Sequence, residues 1–405
     1  MRDGPSDALE VLQKPDFARR EAAYAGGVVV FLGAAGLIVY TFAGYPAIVG
    51  ALARLRPRPV RTDPAYTPRL SLVVVAYNEE DEIARRLLNC AKLDYPGDRL
   101  ELLVVTDGSN DATPEIARAM PRVRVVHRPE RGGKLAAMHR GFEEASGEIV
   151  VFSDANNRYS TDALRRLAEP FADPEVGAVT GRKAIDDESG RSLDRAEGLY
   201  WRYESKLKEW ESRIGSVAAV AGEILAFRKE AFPHAPRGTM NDDFAQALLV
   251  ASDGWRVVYA PAALSLERAS ASMADEATRR SRLVTGRGQA LVRLLPRVAR
   301  RNPQLAFEVL SHKALRPLVP WALGALALSN VPLARERGWA RACALGQLAF
   351  YAAAYEGWRR ERAGRRSKAF YLPFYFCRMN LATLEGLANF ARGRHEAVWA
   401  RVRRG

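Results

Sequence analysis

Four short apolar runs between Leu70 and Phe152 alternate with helix-like stretches, and this alternation restricts the chain more than any other feature. Leu70–Ala76 is apolar almost throughout, as a strand covered on both faces tends to be. Asn78-Glu79-Glu80-Asp81 can open a helix whose inward stripe is Ile83, Leu87 and Leu88. Leu100–Val105 predicts a second strand, running into Thr106-Asp107-Gly108-Ser109-Asn110-Asp111. Thr113-Pro114-Glu115 offers an N-cap followed by proline at the first helical position. Val123–Val126 is a third strand, Lys134–Ala145 a helix and Glu148–Phe152 a fourth strand, leading to Asp154-Ala155-Asn156. Strands and helices in this order imply a doubly wound parallel sheet. Ligands of such sheets bind beyond the carboxyl ends of the strands, where Ala76, Asp107 and Asp154 all fall.

Further along, Ser160 is placed to cap a helix carrying Leu164, Leu167 and Phe171, and Val176–Gly181 reads as a strand. Leu193, Tyr200, Tyr203, Leu207, Trp210 and Ile214 recur at helical spacing. Val220–Phe227 and Trp255–Ala260 are expected strands flanking a helix that holds Asp242 and Asp243 and stops at Gly254. The stretch around Arg279–Leu295 is a basic amphipathic helix of the kind that lies on a membrane surface.

Both ends of the chain are apolar. Ala22–Ala53 holds 32 residues without a charge, well beyond the ~20 that span a bilayer, and is too long for a cleaved signal peptide. Arg54, Arg56, Arg58 and Arg61 follow it at once, which puts its C-terminal end in the cytoplasm by the positive-inside rule. Pro57, Pro59 and Pro64 mark the next stretch as a linker at the membrane face. Pro317–Ala334 and Ala342–Tyr355 suit a hairpin returning to the basic Arg359–Lys368 loop, and Phe370–Phe390 is a further apolar stretch broken by Arg378 and Glu385. The division expected is a polar lead (1–21), a transmembrane helix (22–53), a linker (54–67), a catalytic domain (68–291), an interfacial region (292–316), membrane helices (317–391) and a basic tail (392–405). The net charge of +14 calls for an anionic partner. Much of that excess flanks the apolar runs, where membrane lipid headgroups account for it, so nucleic acid is not expected. Cys90, Cys343 and Cys377 lack metal spacing and fit a reducing compartment.

Several polar groups at the strand ends could carry chemistry. Asp154 and Asn156 offer a carboxylate and an amide oxygen suited to Mg²⁺ or Mn²⁺, or else an Asx turn. Asp107-Gly108-Ser109-Asn110-Asp111 reads equally as a turn and cap. Arg131-Gly132-Gly133-Lys134, at a helix start, could cradle phosphate or form a simple loop. Asp242 and Asp243 at a helix N-terminus either stabilise that helix or supply a general base. No G-x-G-x-x-G or G-x-x-x-x-G-K-[ST] follows a strand, which argues against dinucleotide oxidoreductases and P-loop NTPases.

Taken in order, these residues resemble a membrane-bound family 2 glycosyltransferase of the inverting type, over roughly Leu70–Leu291. The resemblance implies an α/β fold, the GT-A domain with its Rossmann-like mixed sheet, and flanking transmembrane helices as in polysaccharide synthases. Ala76-Tyr77-Asn78-Glu79 matches the opening strand-end motif at the nucleotide. Asp107-Gly108-Ser109 with Asp111 matches the nucleoside-binding aspartate loop, with Thr106 where an acidic residue is frequent. Lys134 resembles the lysine near the diphosphate. Asp154 and Asn156 stand where the family has Asp-x-Asp for Mg²⁺ or Mn²⁺, so the second carboxylate is absent and its amide replacement brings no charge. Asp242-Asp243 resembles the element that supplies the base, which makes Asp243 the expected base, and Gly222-Glu223 resembles the acceptor-side segment. Processive members carry Gln-x-x-Arg-Trp; here Arg279-Arg280-Ser281-Arg282-Leu283 keeps the arginine, as Arg282 near the diphosphate, and lacks the glutamine and tryptophan. The implied activity is transfer of a sugar from a nucleotide-diphosphate donor, with uridine the family's common nucleoside, to a glycan or lipid-linked acceptor. The domain would face the cytoplasm from the cytoplasmic membrane. Cell-surface polysaccharide synthesis, single-sugar transfer to a polyprenyl phosphate or glycolipid, and a catalytically silent nucleotide-sugar sensor are the outcomes this pattern admits.

Overall fold

A computed structural model describes residues 15–186, 192–236, 238–365 and 367–394. The chain divides into two compact units, Pro46–Ala314 with Ala382–Gly405, and Met1–Tyr45 with Leu315–Leu381.

The larger unit is built on an eight-stranded sheet of order β3-β2-β1-β4-β7-β6-β8-β5. Its strands are β1 (Leu70–Ala76), β2 (Leu100–Asp107), β3 (Val123–Arg128), β4 (Ile149–Asp154), β5 (Asn157–Tyr159), β6 (Val176–Asp186), β7 (Leu225–Arg228) and β8 (Arg256–Arg268). The first four pair in parallel, with Leu70 opposite both Leu100 and Ile149. The parallel sheet expected from spacing therefore holds over this half. In the second half β7 runs antiparallel to both β4 and β6, so the sheet as a whole is mixed. The expected strand Val220–Phe227 is only Leu225–Arg228, because Val220–Glu223 turns across the strand ends. β8 runs on to Arg268, past the expected Ala260.

Among the helices of this unit are α1 (Glu80–Cys90), α2 (Lys134–Glu144), α3 (Ser192–Ile214), α4 (Asp242–Ser252) and α5 (Met273–Arg301). Ile83 and Leu87 of α1 are buried as expected, whereas Leu88 is exposed. The Leu164 helix is split into Ala163–Ala168 and a 3₁₀ turn Glu169–Ala172. Ser160 does not cap it; its hydroxyl donates to Asp162 at 3.0 Å. The amphipathic α5 buries Arg279, Ser281, Val284, Thr285 and Gln289. Gly286 lies against Asn241, and Thr285 Oγ1 donates to the Gly386 carbonyl at 2.9 Å. One face of this basic helix is thus used inside the unit.

Two apolar clusters sandwich the sheet, one around Leu72, Val74, Ile83 and Leu167, the other around Val73, Leu103, Phe152 and Phe227. Alternate residues of β1 serve opposite clusters, as the two-residue strand period requires. In the smaller unit, Pro15–Val39, Val319–Glu336 and Gly338–Arg362 are helices, with Phe31 edge-on to Trp339 at 5.3 Å between centroids. Among the described residues, Tyr24–Leu55 and Pro303–Glu336 are long and apolar enough to cross a membrane by length and composition. Gly338–Arg362 and Lys368–Ala391 form helices but fall short of that measure.

Phe152 anchors the second cluster, 6.0 Å from Phe227 and 5.7 Å from Phe232 between ring centroids. Phe152→Ala is expected to cost about 3–5 kcal/mol, read as a lower denaturant midpoint for the detergent-solubilised protein.

Candidate active site

The carboxyl ends of β1, β2 and β4 open into a cleft of ≈ 320 Å³. Ala76, Tyr77 and Glu79 line it from the end of β1, Asp107 from β2, and Asp154 and Asn156 from β4. Parallel pairing in register brings these ends together, since Ala76 sits opposite Thr106 and Val75 opposite Asp154. Lys134, Gly222, Glu223, Asp242, Asp243 and Arg282 supply the rest of the expected set. Ser109, like Asp111, is missing from the lining. Its hydroxyl instead accepts the Asn78 N–H at 3.1 Å, tying the end of β1 to the loop after β2.

Asp107 is heavily engaged. Oδ1 accepts from the Gly132 N–H at 3.1 Å and from Arg140 Nη2 at 2.6 Å, and Oδ2 from the Gly133 N–H at 2.6 Å. Gly133 has φ +87°, which lets the loop present successive amides before α2 begins. The guanidinium of Arg131 covers the Tyr77 ring at 3.7 Å from its centroid, a cation–π contact at the cleft. Asp111 takes the turn-and-cap role, its Oδ1 accepting from the Thr113 N–H at 3.1 Å and from its hydroxyl at 2.6 Å.

Lys134, in the first turn of α2, donates to Asp154 Oδ1 at 2.6 Å. Burial works against its ammonium, but Asp154, Asp242 and Asp243 outweigh it and hold the pKa above the ordinary lysine value. Asp242 and Asp243 open α4, where the helix dipole favours negative charge. Even so, burial and the Asp242 charge push the Asp243 carboxyl up to about 6, with Lys134 pulling the other way. Protein walls surround Asp243, and such burial disfavours its charged form although the cleft reaches its surface. Gly222 leaves room for this carboxyl: a Cβ there would meet Asp243 Cβ at 3.0 Å and Oδ2 at 3.1 Å.

The residues fit a hard divalent cation. Asn156 Oδ1 is buried and accepts no hydrogen bond, and it lies two residues from the Asp154 carboxylate. Two oxygen donors on one turn suit Mg²⁺ or Mn²⁺ rather than a soft metal. Among the described residues no group of three or more His, Cys, Asp or Glu could hold a metal.

Sequence reading missed Lys183, Trp201 and Glu267 on the cleft wall. Lys183 lies on β6 and Glu267 on β8, both beyond the strand ends expected from apolar runs. Arg140, behind Asp107, also carried no signal, since a single arginine in an amphipathic helix ordinarily faces solvent.

The sheet and cleft belong to the GT-A class of glycosyltransferases. The chain superposes on a mannosyltransferase from Pyrobaculum calidifontis, solved in complex with GDP-Man and Mn2+, with TM-score 0.67 and 27% identity over 90% of this chain and 99% of that one. Residues 71–234, within the α/β unit, match the family model Glycosyl transferase family 2. A Beta-monoglucosyldiacylglycerol synthase of Synechocystis sp. is 30% identical over 49% of this chain and 44% of its own length. A Poly-beta-1,6-N-acetyl-D-glucosamine synthase of Staphylococcus aureus is 28% identical over 48% of each chain. The matched part of the chain thus spans about half the length of these curated relatives.

Arg140→Met removes the buried cation that shares Asp107 with the glycine amides. Faster hydrogen exchange at Gly132 and Gly133, followed by mass spectrometry, is the expected result; unchanged exchange would mean that Asp107 holds the loop without it.

Proposed function

We propose that the protein is a membrane-bound inverting glycosyltransferase that moves a sugar from a nucleotide-diphosphate donor, UDP-linked in the first instance, to a glycan or lipid-linked acceptor. The observation that carries this reading is the meeting of a half-buried carboxyl raised to about 6, Asp243, with Lys134 and Arg282 in one cleft. A base for an acceptor and cations for a departing diphosphate are the two requirements of direct displacement.

In this mechanism the acceptor oxygen attacks the anomeric carbon from the face opposite the leaving group. The bond from that carbon to the phosphate oxygen breaks, and its electron pair leaves with the nucleoside diphosphate. Asp243 takes the acceptor proton as the new bond forms. Asp242 keeps the Asp243 carboxyl basic through its charge and its place beside it on α4. Lys134 and Arg282 receive the negative charge released on the diphosphate, so no protonated general acid is needed. Tyr77, Glu79, Asp107 and the ordered loop that ends at Lys134 form the nucleotide end, and Ser109 supports it through Asn78. Asp154 and Asn156 are the residues that would hold Mg²⁺ or Mn²⁺, which when bound supplies further neutralisation of the diphosphate.

The apolar stretches Tyr24–Leu55 and Pro303–Glu336 support membrane attachment, and the arginines that follow the first support a cytoplasmic catalytic domain. The missing glutamine and tryptophan after Asp243 favour transfer of one sugar over processive polymerisation.

The deciding experiment is donor turnover by detergent-solubilised protein with native lipid extract and UDP-glucose, UDP-N-acetylglucosamine, UDP-galactose or GDP-mannose. Release of nucleoside diphosphate from one donor, abolished by chelation and restored by Mn²⁺ or Mg²⁺, is the expected outcome. Asp243→Asn should lower kcat by about 10²–10⁴ with donor affinity retained. Asp154→Ala should weaken donor binding in the presence of metal. Nucleotide binding without turnover of any donor would favour a sensor.

The rate should rise with pH and level off above about 6, because the base works only when deprotonated. Asp242→Asn removes a neighbouring charge and should move that midpoint downward. A pH profile identical to wild type would remove Asp243 from the role of base.

A further inference from the structure

Trp201 of α3 lines the cleft wall, and its indole Nε1 is buried without a hydrogen-bond partner among the described residues. A buried indole N–H ordinarily finds a partner, because an unmade bond leaves the desolvation of the donor uncompensated. The ring is held on several sides. Lys183 Nζ stands over it at 5.1 Å from the centroid and Lys208 Nζ at 5.9 Å. Tyr200 meets it edge-on at 5.4 Å, and the Arg280 guanidinium of α5 covers Tyr200 at 4.9 Å. An unspent donor is thus fixed on a wall that substrate reaches.

The contacts around the ring also indicate which substrate meets it. Gly222 abuts Asp243, Glu223 follows Gly222, and Lys183 stands 3.0 Å from Glu223 Oε1. Trp201 is therefore joined to the side of the base, whereas Tyr77, Asp107 and Arg131 belong to the nucleotide end. A molecule with one hydroxyl at Asp243 that also touches Trp201 extends past Glu223 and Lys183. It carries a second polar atom, separate from the reacting one. Indole N–H only donates, so that atom is an oxygen with an available lone pair.

We propose that Trp201 donates a hydrogen bond from Nε1 to a non-reacting oxygen of the acceptor, and so selects an oxygen-rich acceptor, a sugar ring or an acylglycerol, over a plain alcohol. This rests on the transferase reading above. Lys183, Lys208 and Tyr200 are positioning residues for the indole. Discrimination arises because a plain alcohol leaves the buried N–H unpaired, while an acceptor with a second oxygen satisfies it. Trp201 moves no proton: the acceptor O–H proton still passes to Asp243 as the oxygen joins the anomeric carbon.

The test uses the full chain in detergent with the donor that turns over in the panel above. Octyl β-D-glucoside, dioleoylglycerol, oleyl alcohol and undecaprenyl phosphate serve as alternative acceptors, and the first two separate a sugar ring from an acylglycerol. The wild type is expected to favour one of those two over oleyl alcohol in kcat/KM. Trp201→Phe, which keeps an aromatic ring and drops the N–H, should reduce that preference by roughly three- to tenfold through the acceptor KM, with the donor KM within about twofold. If Trp201→Phe fails to fold, the benzothiophene analogue of tryptophan at position 201, of the same shape but without the N–H, takes its place. Equal losses with oleyl alcohol and the oxygen-rich acceptor would mark Trp201 as structural and overturn the assignment. So would a change confined to the donor KM, a wild type that prefers oleyl alcohol, or transfer to undecaprenyl phosphate alone; each of these leaves the transferase standing. Failure of every donor with all four acceptors removes the transferase reading and this one together.

Discussion

The cleft depends on how an excess of carboxylate is kept at the ends of parallel strands. Asp154, Asp242 and Asp243 act on one ammonium, that of Lys134, and that ammonium in turn lowers the cost of placing them together. The arrangement is asymmetric. Asp154 has the ammonium at 2.6 Å, while Asp243 feels it at longer range and remains hard to ionise. Burial beside Asp242 thus raises the proton affinity of the Asp243 carboxyl, as acid–base chemistry near neutral pH requires.

Much of this was legible in the sequence, and the reasons are local. β1, β2 and β4 are buried on both faces, so they appear as continuous apolar runs, and the polar residues that end them stand out. Asp107 and Asp154 follow from that contrast, and Lys134 from the Gly132-Gly133 pair before its helix. Asp242 and Asp243 are visible because two acids at a helix start are a recognisable pattern, whatever their role.

What was hidden is equally local. β6 and β8 extend beyond their apolar centres as a paired arm, where Lys183 and Glu267 alternate with residues of mixed character and give no strand signal. The Val220–Glu223 segment is apolar enough to resemble a strand, yet it turns, with the Ala221 N–H donating to Thr180 Oγ1 at 2.9 Å. The antiparallel course of β7 cannot be read from composition at all, since it depends on where this turn leaves the chain. Ser109, a motif residue just past a strand end, also serves the scaffold through the Asn78 N–H.

The saturation of Asp107 has a consequence for selectivity. A carboxylate offers about four lone-pair sites, and three are taken by Gly132, Gly133 and Arg140. A ligand entering beside it can be read by one donor group at most, unless the glycine loop gives way. A single hydrogen bond distinguishes heterocycles poorly. Discrimination at this end of the cleft would then be a matter of shape before polarity, set by the Tyr77–Arg131 stack that lines it.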